Sequence, residues 1–103
     1  MYKLIFFVPE STVEPVKAAI FKAGAGHQGD YDQCAWQAKG EGQFRPLKGS
    51  QPYIGKQNQL ERVVEYRVET LVDSECVMAV IEALKQAHPY EEPAYEVIKL
   101  EAF

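Results

Sequence analysis

Residues 88 to 96, HPYEEPAYE, place a histidine, two prolines, two tyrosines and three glutamates within nine positions. An imidazole and carboxylates this close offer two kinds of chemistry. His88 with Glu91 or Glu92 would give a divalent cation two of its ligands, with the rest supplied by another subunit. His88 acting as a base, with a glutamate to orient it or to hold a metal, would suit a small hydrolase working between subunits. Tyr90, held between the two prolines, is a candidate contact for a small ligand. The same residues also describe a stiff connection. Pro89 forces the chain out of a helix whose C-terminus favours a cation at His88, Pro93 fixes the entry to a strand, and Tyr90 and Tyr95 pack nearby. On residue types alone this plainer reading is preferred. No nucleophile–base pair is recognisable anywhere in the chain, so a non-enzymatic protein is expected.

Other positions invite chemistry more weakly. A stretch from Gly40 to Asn58 is rich in Gly, Pro, Ser, Lys and Gln and has no usable periodicity. Loops of that length tend to carry function or to move. Its Phe44, Arg45, Tyr53 and Lys56 could close over an anionic or aromatic ligand, and Arg45 and Tyr53 are taken as ligand-binding candidates with Tyr90. GAGHQG, Gly24 to Gly29, matches the glycine spacing of a dinucleotide-binding turn, but a helix precedes it and a strand follows. The mechanism needs the reverse order, so that pyrophosphate meets a helix N-terminus. The expected role is a helix cap and tight turn. His27 has no second ligand nearby in sequence and reads as a solvated turn residue. Cys34 and Cys76 lie far apart and read as packed free thiols.

The elements that must position these groups can be traced from periodicity. YKLIFFV (2–8) is apolar throughout, as suits a central strand. A helix follows, with Ser11 and Glu14 at capping-box spacing and Val13, Val16, Ile20 and Ala23 along one stripe, ending at Gly24. DYDQCAWQAKG (30–40) is a second strand. In ERVVEYRVETLV (61–72), Val64, Tyr66, Val68 and Thr70 alternate with Glu65, Arg67 and Glu69, so one face serves a core and the other water. Asp73 or Ser74 would cap a second helix carrying Val77, Val80, Ile81 and Leu84, which ends near Ala87 because Pro89 follows. AYEVIKLEAF closes the chain as a strand. The order is that of a ferredoxin-like βαββαβ sandwich, α+β, with two helices on one face of a four-stranded antiparallel sheet. The other face, expected to display Tyr or Val, would be covered by another copy of the chain, giving a homo-oligomer, either trimer or dimer.

Composition agrees with one domain over residues 1–103. The chain is 47% hydrophobic and 25% charged, with a net charge of −4. Without a basic run, nucleic-acid binding lacks its main electrostatic term. The longest apolar stretch, Leu4 to Val8, is too short to span a bilayer, so no membrane role and a cytoplasmic location are expected.

The motifs GAG..GDYD.C, G.G.FRPL.G..P.IG and AHPYEEPAY, in that order, give the chain a further identity. From Tyr2 to about Leu100 it resembles the inserted domain of the Nif-three-like, YqfO-type family, here without the surrounding protein. That insert is similar in fold to the CutA and PII proteins, and CutA has a comparable HPYE segment before its last strand. The resemblance supports the ferredoxin-like arrangement and an oligomer, with a trimer favoured. It implies a PII/CutA-like module that binds a small ligand, a divalent metal ion or a regulatory protein, or that docks structurally to a partner. The family's dinuclear metal centre belongs to the flanking core domain. Neither that metal site nor a hydrolase activity therefore carries over, and no family catalytic residue has a matching position.

Overall fold

A computed structural model describes residues 1–103. The chain runs through β1 (Tyr2–Pro9), a 3-10 turn (Glu10–Thr12), α1 (Val13–Lys22), β2 (Ala35–Phe44), β3 (Glu61–Val72), α2 (Val77–Ala87) and β4 (Tyr95–Lys99). The four strands form one antiparallel sheet in the order β2-β3-β1-β4. This is the ferredoxin-like α+β sandwich, with the apolar β1 and the long β3 at its centre.

Register divides the residues between the two faces, because directly paired positions point the same way. Leu4 pairs with Thr70, Phe6 with Val68 and Val8 with Tyr66. That side packs against Val13, Val16 and Ile20 of α1 and Val80 and Leu84 of α2 in one core cluster. The alternation in β3 therefore sorts as expected, and the apolar stripes of both helices are the ones that reach the sheet. Burying each such aliphatic or aromatic side chain contributes about 1.5–3 kcal/mol.

The opposite face differs from expectation. It carries Lys3, Ile5 and Phe7 of β1, Val63, Glu65, Arg67, Glu69 and Leu71 of β3, Trp36 and Ala38 of β2, and Glu96 and Ile98 of β4. Tyr66, Val68 and Val72 of β3 are used in the core, while Val64 on the same side stays exposed, and the open face is a mixture of charge and large apolar groups. Glu69 is held there by Lys3 at 2.9 Å and Arg67 at 3.4 Å. Those cations hold its carboxyl below the usual range.

Three boundaries also differ. β2 continues to Phe44, through the glycines at 40 and 42, and the irregular segment begins only at residue 45. Pairing with β3 drives this, since Gly40 lies opposite Glu65 and Phe44 opposite Glu61 in an unbroken ladder. The segment before it, 30–34, is turn rather than strand, with Gln33 at φ 55°. Neither helix uses the side-chain cap that its sequence offers. Ser11 lies in the 3-10 turn, and Ser74 Oγ instead accepts the N-terminal amine of Met1 at 2.9 Å.

The end of α1 follows expectation. Gly24, Gly26 and Gly29 all adopt positive φ, of 120°, 85° and 57°. Gly26 donates to Leu71 O at 2.8 Å and accepts from Cys34 N at 3.0 Å. The glycines thus serve a turn docked against β3.

Candidate functional site

A cleft of about 560 Å³ lies where the β2–β3 connection faces the 88–94 corner. Arg45 and Tyr53 come from the connection, Phe44 from the end of β2, Tyr90, Glu91 and Glu92 from the corner, and Phe7, Gly42 and Glu65 from the open face of the sheet. The volume is within the range of small-molecule sites.

His88 positions the corner from beneath. α2 ends at Ala87, and His88 is already extended, with φ −69° and ψ 134°. Its ring is buried, 5% exposed. Nε2 donates to Phe7 O at 2.7 Å and Nδ1 accepts from Tyr90 N at 3.1 Å, which fixes one neutral tautomer. Burial lowers the imidazole's pKa from 6.5, against the opposing influence of the Phe7 carbonyl and Glu65. The anchorage is specific to this site. Phe7 lies one residue beyond the last β1–β4 pair, and its N–H still reaches Ala94 O at 3.2 Å while its carbonyl turns to His88.

Tyr90 is thereby presented to the cleft. Its hydroxyl donates to Glu65 Oε2 at 2.7 Å. Its ring stands 5.0 Å from His88, 5.9 Å from Phe44 and 6.4 Å from Tyr53, all at tilted angles. Burial, with the Glu65 carboxylate beside it, raises the phenol far above its usual range, so Tyr90 acts as a neutral donor. Gly42 makes room for this pair, because a Cβ there would overlap the Glu65 carboxylate.

The connection has internal order. Asn58 N donates to Pro46 O at 2.6 Å, closing its base, and Ser50 folds back on Leu47 O through both amide and hydroxyl. One polar link joins it to the corner, Gln51 N to Glu91 Oε2 at 3.1 Å.

Of the residues singled out in sequence, Arg45, Tyr53, Tyr90, Glu91 and Glu92 meet in this cleft, as does Phe44. His88 does not line it, and Lys56 lies outside. Within one chain His88, Glu91 and Glu92 do not form a ligand set. Both imidazole nitrogens are engaged by backbone, and no group of three His, Cys, Asp or Glu side chains is disposed to hold a metal ion. His88 is equally unsuited to act as a base, since its free lone pair is covered by the Tyr90 amide. Sequence reasoning missed Phe7, Gly42 and Glu65. Parity places Glu65 on the open face of β3, but its place in the cleft depends on Tyr90 in the distant corner.

A second hollow of about 550 Å³ is bounded by Lys3, His27, Cys34, Trp36 and Glu69. His27 is exposed there, and Cys34 is a half-buried free thiol. No helix is long and apolar enough to cross a membrane.

No family model matches the chain. It is 45% identical over 100 residues to the GTP cyclohydrolase 1 type 2 homolog of Halalkalibacterium halodurans, a match covering 97% of this chain and 27% of that protein. Among solved structures, a Bacillus cereus protein related to NIF3 superposes with a TM-score of 0.83 at 42% identity, over 98% of this chain and 26% of that one. CutA1 from Pyrococcus horikoshii shares the fold at a TM-score of 0.70 and 16% identity, over 100% of this chain and 86% of its own. The chain thus spans about a quarter of the length of the relatives it matches in sequence. It is homologous to that domain-sized part of the NIF3-related proteins, and it has the CutA-like fold.

Proposed function

Starting from homology to one domain of the NIF3-related proteins, we propose that the chain is a non-enzymatic binding module whose ligand enters the cleft between the β2–β3 connection and the 88–94 corner. Arg45, Tyr53 and Tyr90 are its contacts. One observation carries this reading: segments remote in sequence converge on a single aromatic-walled space, and a buried histidine is spent on holding one wall in place. His88 is a positioning residue in this reading, and Glu91 and Glu92 are rim groups that a divalent cation could recruit only together with donors from another copy. Copies associate through the mixed open face of the sheet, around Trp36 and Ile98, as a dimer or trimer.

The test is thermal denaturation with Cu(II), Zn(II), adenine nucleotides and a set of small aromatic compounds. A ligand at 100 times its Kd adds about 2.7 kcal/mol to stability, which raises the melting temperature by several degrees for a domain of this size. At least one compound is expected to do so in the wild type and to do so less in Tyr90→Ala. A flat response to the whole panel removes the reading.

A further inference from the structure

Charge in the cleft is lopsided. Its wall holds three carboxylates, Glu65, Glu91 and Glu92, against one guanidinium, Arg45. None of the four is among the residues that form ion pairs in the chain. Glu65 and Glu91 accept hydrogen bonds only from neutral donors, the Tyr90 hydroxyl and the Gln51 amide, so neither charge is cancelled. The same cleft is lined by the rings of Phe44, Tyr53 and Tyr90, whose faces carry negative potential. The chain itself provides a precedent on the adjoining ring, since the Arg67 guanidinium sits 5.9 Å above Phe7.

We infer that this cleft selects a small organic cation that carries an aromatic group, its ring against Tyr53 and Tyr90 and its positive charge toward Glu65 and Glu92. The inference rests on the cleft being the ligand site and adds the chemical class. A phosphorylated ligand of the same size would place its charge among three carboxylates with a single arginine to receive it. A neutral one would leave the acids unused. Complementary charge on both the rings and the rim favours the cation, and does so more strongly where the ligand displaces water from Glu65.

Isothermal titration with three probes sharing one phenyl group tests this: benzyltrimethylammonium, benzyl alcohol and phenylphosphonate. The cation is expected to bind on the order of five-fold more tightly than the alcohol, as an exposed cation–π contact with nearby acids gives, and the phosphonate more weakly than either. The cation's advantage should shrink as salt is raised. In Glu92→Gln, whose side chain makes no hydrogen bond that folding depends on, the ratio of cation to alcohol affinity should fall, and in Glu65→Gln it should fall further. Binding of the alcohol or the phosphonate at least as tight as that of the cation overturns the charge assignment and leaves the cleft a ligand site. Binding of none of the three overturns the assignment of ligand class, and a flat thermal panel beside it overturns the cleft as a ligand site as well.

Discussion

The Nε2–H of His88 donates to the carbonyl oxygen of Phe7 at 2.7 Å, across most of the length of the chain. This bond takes the place that a strand amide would hold one step further along β4, and the Tyr90 amide on the other ring nitrogen completes it. Both bonds are partly buried, and removing the ring leaves the two backbone groups without their protein partner. His88→Ala is expected to cost about 1–3 kcal/mol in urea denaturation, the range for orphaning buried polar groups. A loss below about 0.5 kcal/mol, the level of ordinary surface changes, would contradict the anchoring role.

The same ring predicts a pH dependence. Its folded pKa lies below the usual value, so the folded chain resists a proton that the unfolded chain accepts. Above about pH 6.5 both states are neutral and the stabilisation is complete. As pH falls from there toward the lowered folded value, the unfolded state binds more protons and stability declines, by at most about 1.4 kcal/mol per pH unit. Below the folded value nothing further is lost. His88→Gln removes this dependence, so the difference between wild type and variant in denaturation series from about pH 7.5 to 5 isolates it from the carboxylates. A difference that is flat with pH would show that the ring is protonated freely.

Glycines 40 and 42 provide a matched pair. Both lie in β2 on the open face, yet a Cβ at 40 meets nothing within 4 Å, whereas one at 42 runs into the Glu65 carboxylate. Gly42→Ala should push Glu65 away from the Tyr90 hydroxyl and destabilise the protein by about 1 kcal/mol, the net worth of one such bond. Gly40→Ala should be neutral or slightly stabilising, since it only restricts the unfolded chain. Equal effects at the two positions would place Glu65 elsewhere in solution.

Tyr90 can be followed through its own ionisation. Among the six tyrosines of the chain, only Tyr90 donates its hydroxyl to a carboxylate. Its phenol is pushed well above the ordinary range by burial and by that carboxylate. Absorbance titration of phenolate should therefore show one tyrosine still protonated after the others have ionised, and Tyr90→Phe should abolish that late step. If the variant's curve matches wild type, the Tyr90–Glu65 bond does not persist in solution.

Much of this architecture is legible in the sequence, for reasons that particular residues make plain. Val64, Tyr66, Val68 and Thr70 identify β3 because alternation at period two has only one face to bury. Pro89 ends α2 because it excludes the preceding residue from helical geometry. What is not legible depends on pairing between distant segments. The extension of β2 through Gly40 and Gly42 is set by the β3 ladder, which local glycine content cannot reveal. His88 lies in a segment whose composition suggested metal ligation, and only the fold brings the Phe7 carbonyl to its ring. Ser11 and Ser74 carry good capping chemistry, yet the 3-10 turn and the N-terminal amine take those positions first. Glu65 looked like a solvated strand residue, and its neighbour across the cleft lies 25 positions away.

Trp36 tests the association of copies. It lies on the edge strand β2 with 62% of its surface exposed, on the same face as Ile98 at 43% and the half-buried Phe7 and Leu71. Charged Lys3, Arg67 and Glu69 alternate with these apolar groups, a pattern that two copies can satisfy mutually when one lays its sheet over another. Sedimentation equilibrium at micromolar concentration should give a mass of two or three chains for the wild type and a single-chain mass of 11.7 kDa for Trp36→Glu. Met78→Glu, an equally drastic change at a position 76% exposed on the outer face of α2, should leave the assembly intact. A single-chain mass for the wild type would mean that the open face stays bare in solution, and the cleft would then have to do its binding within one chain.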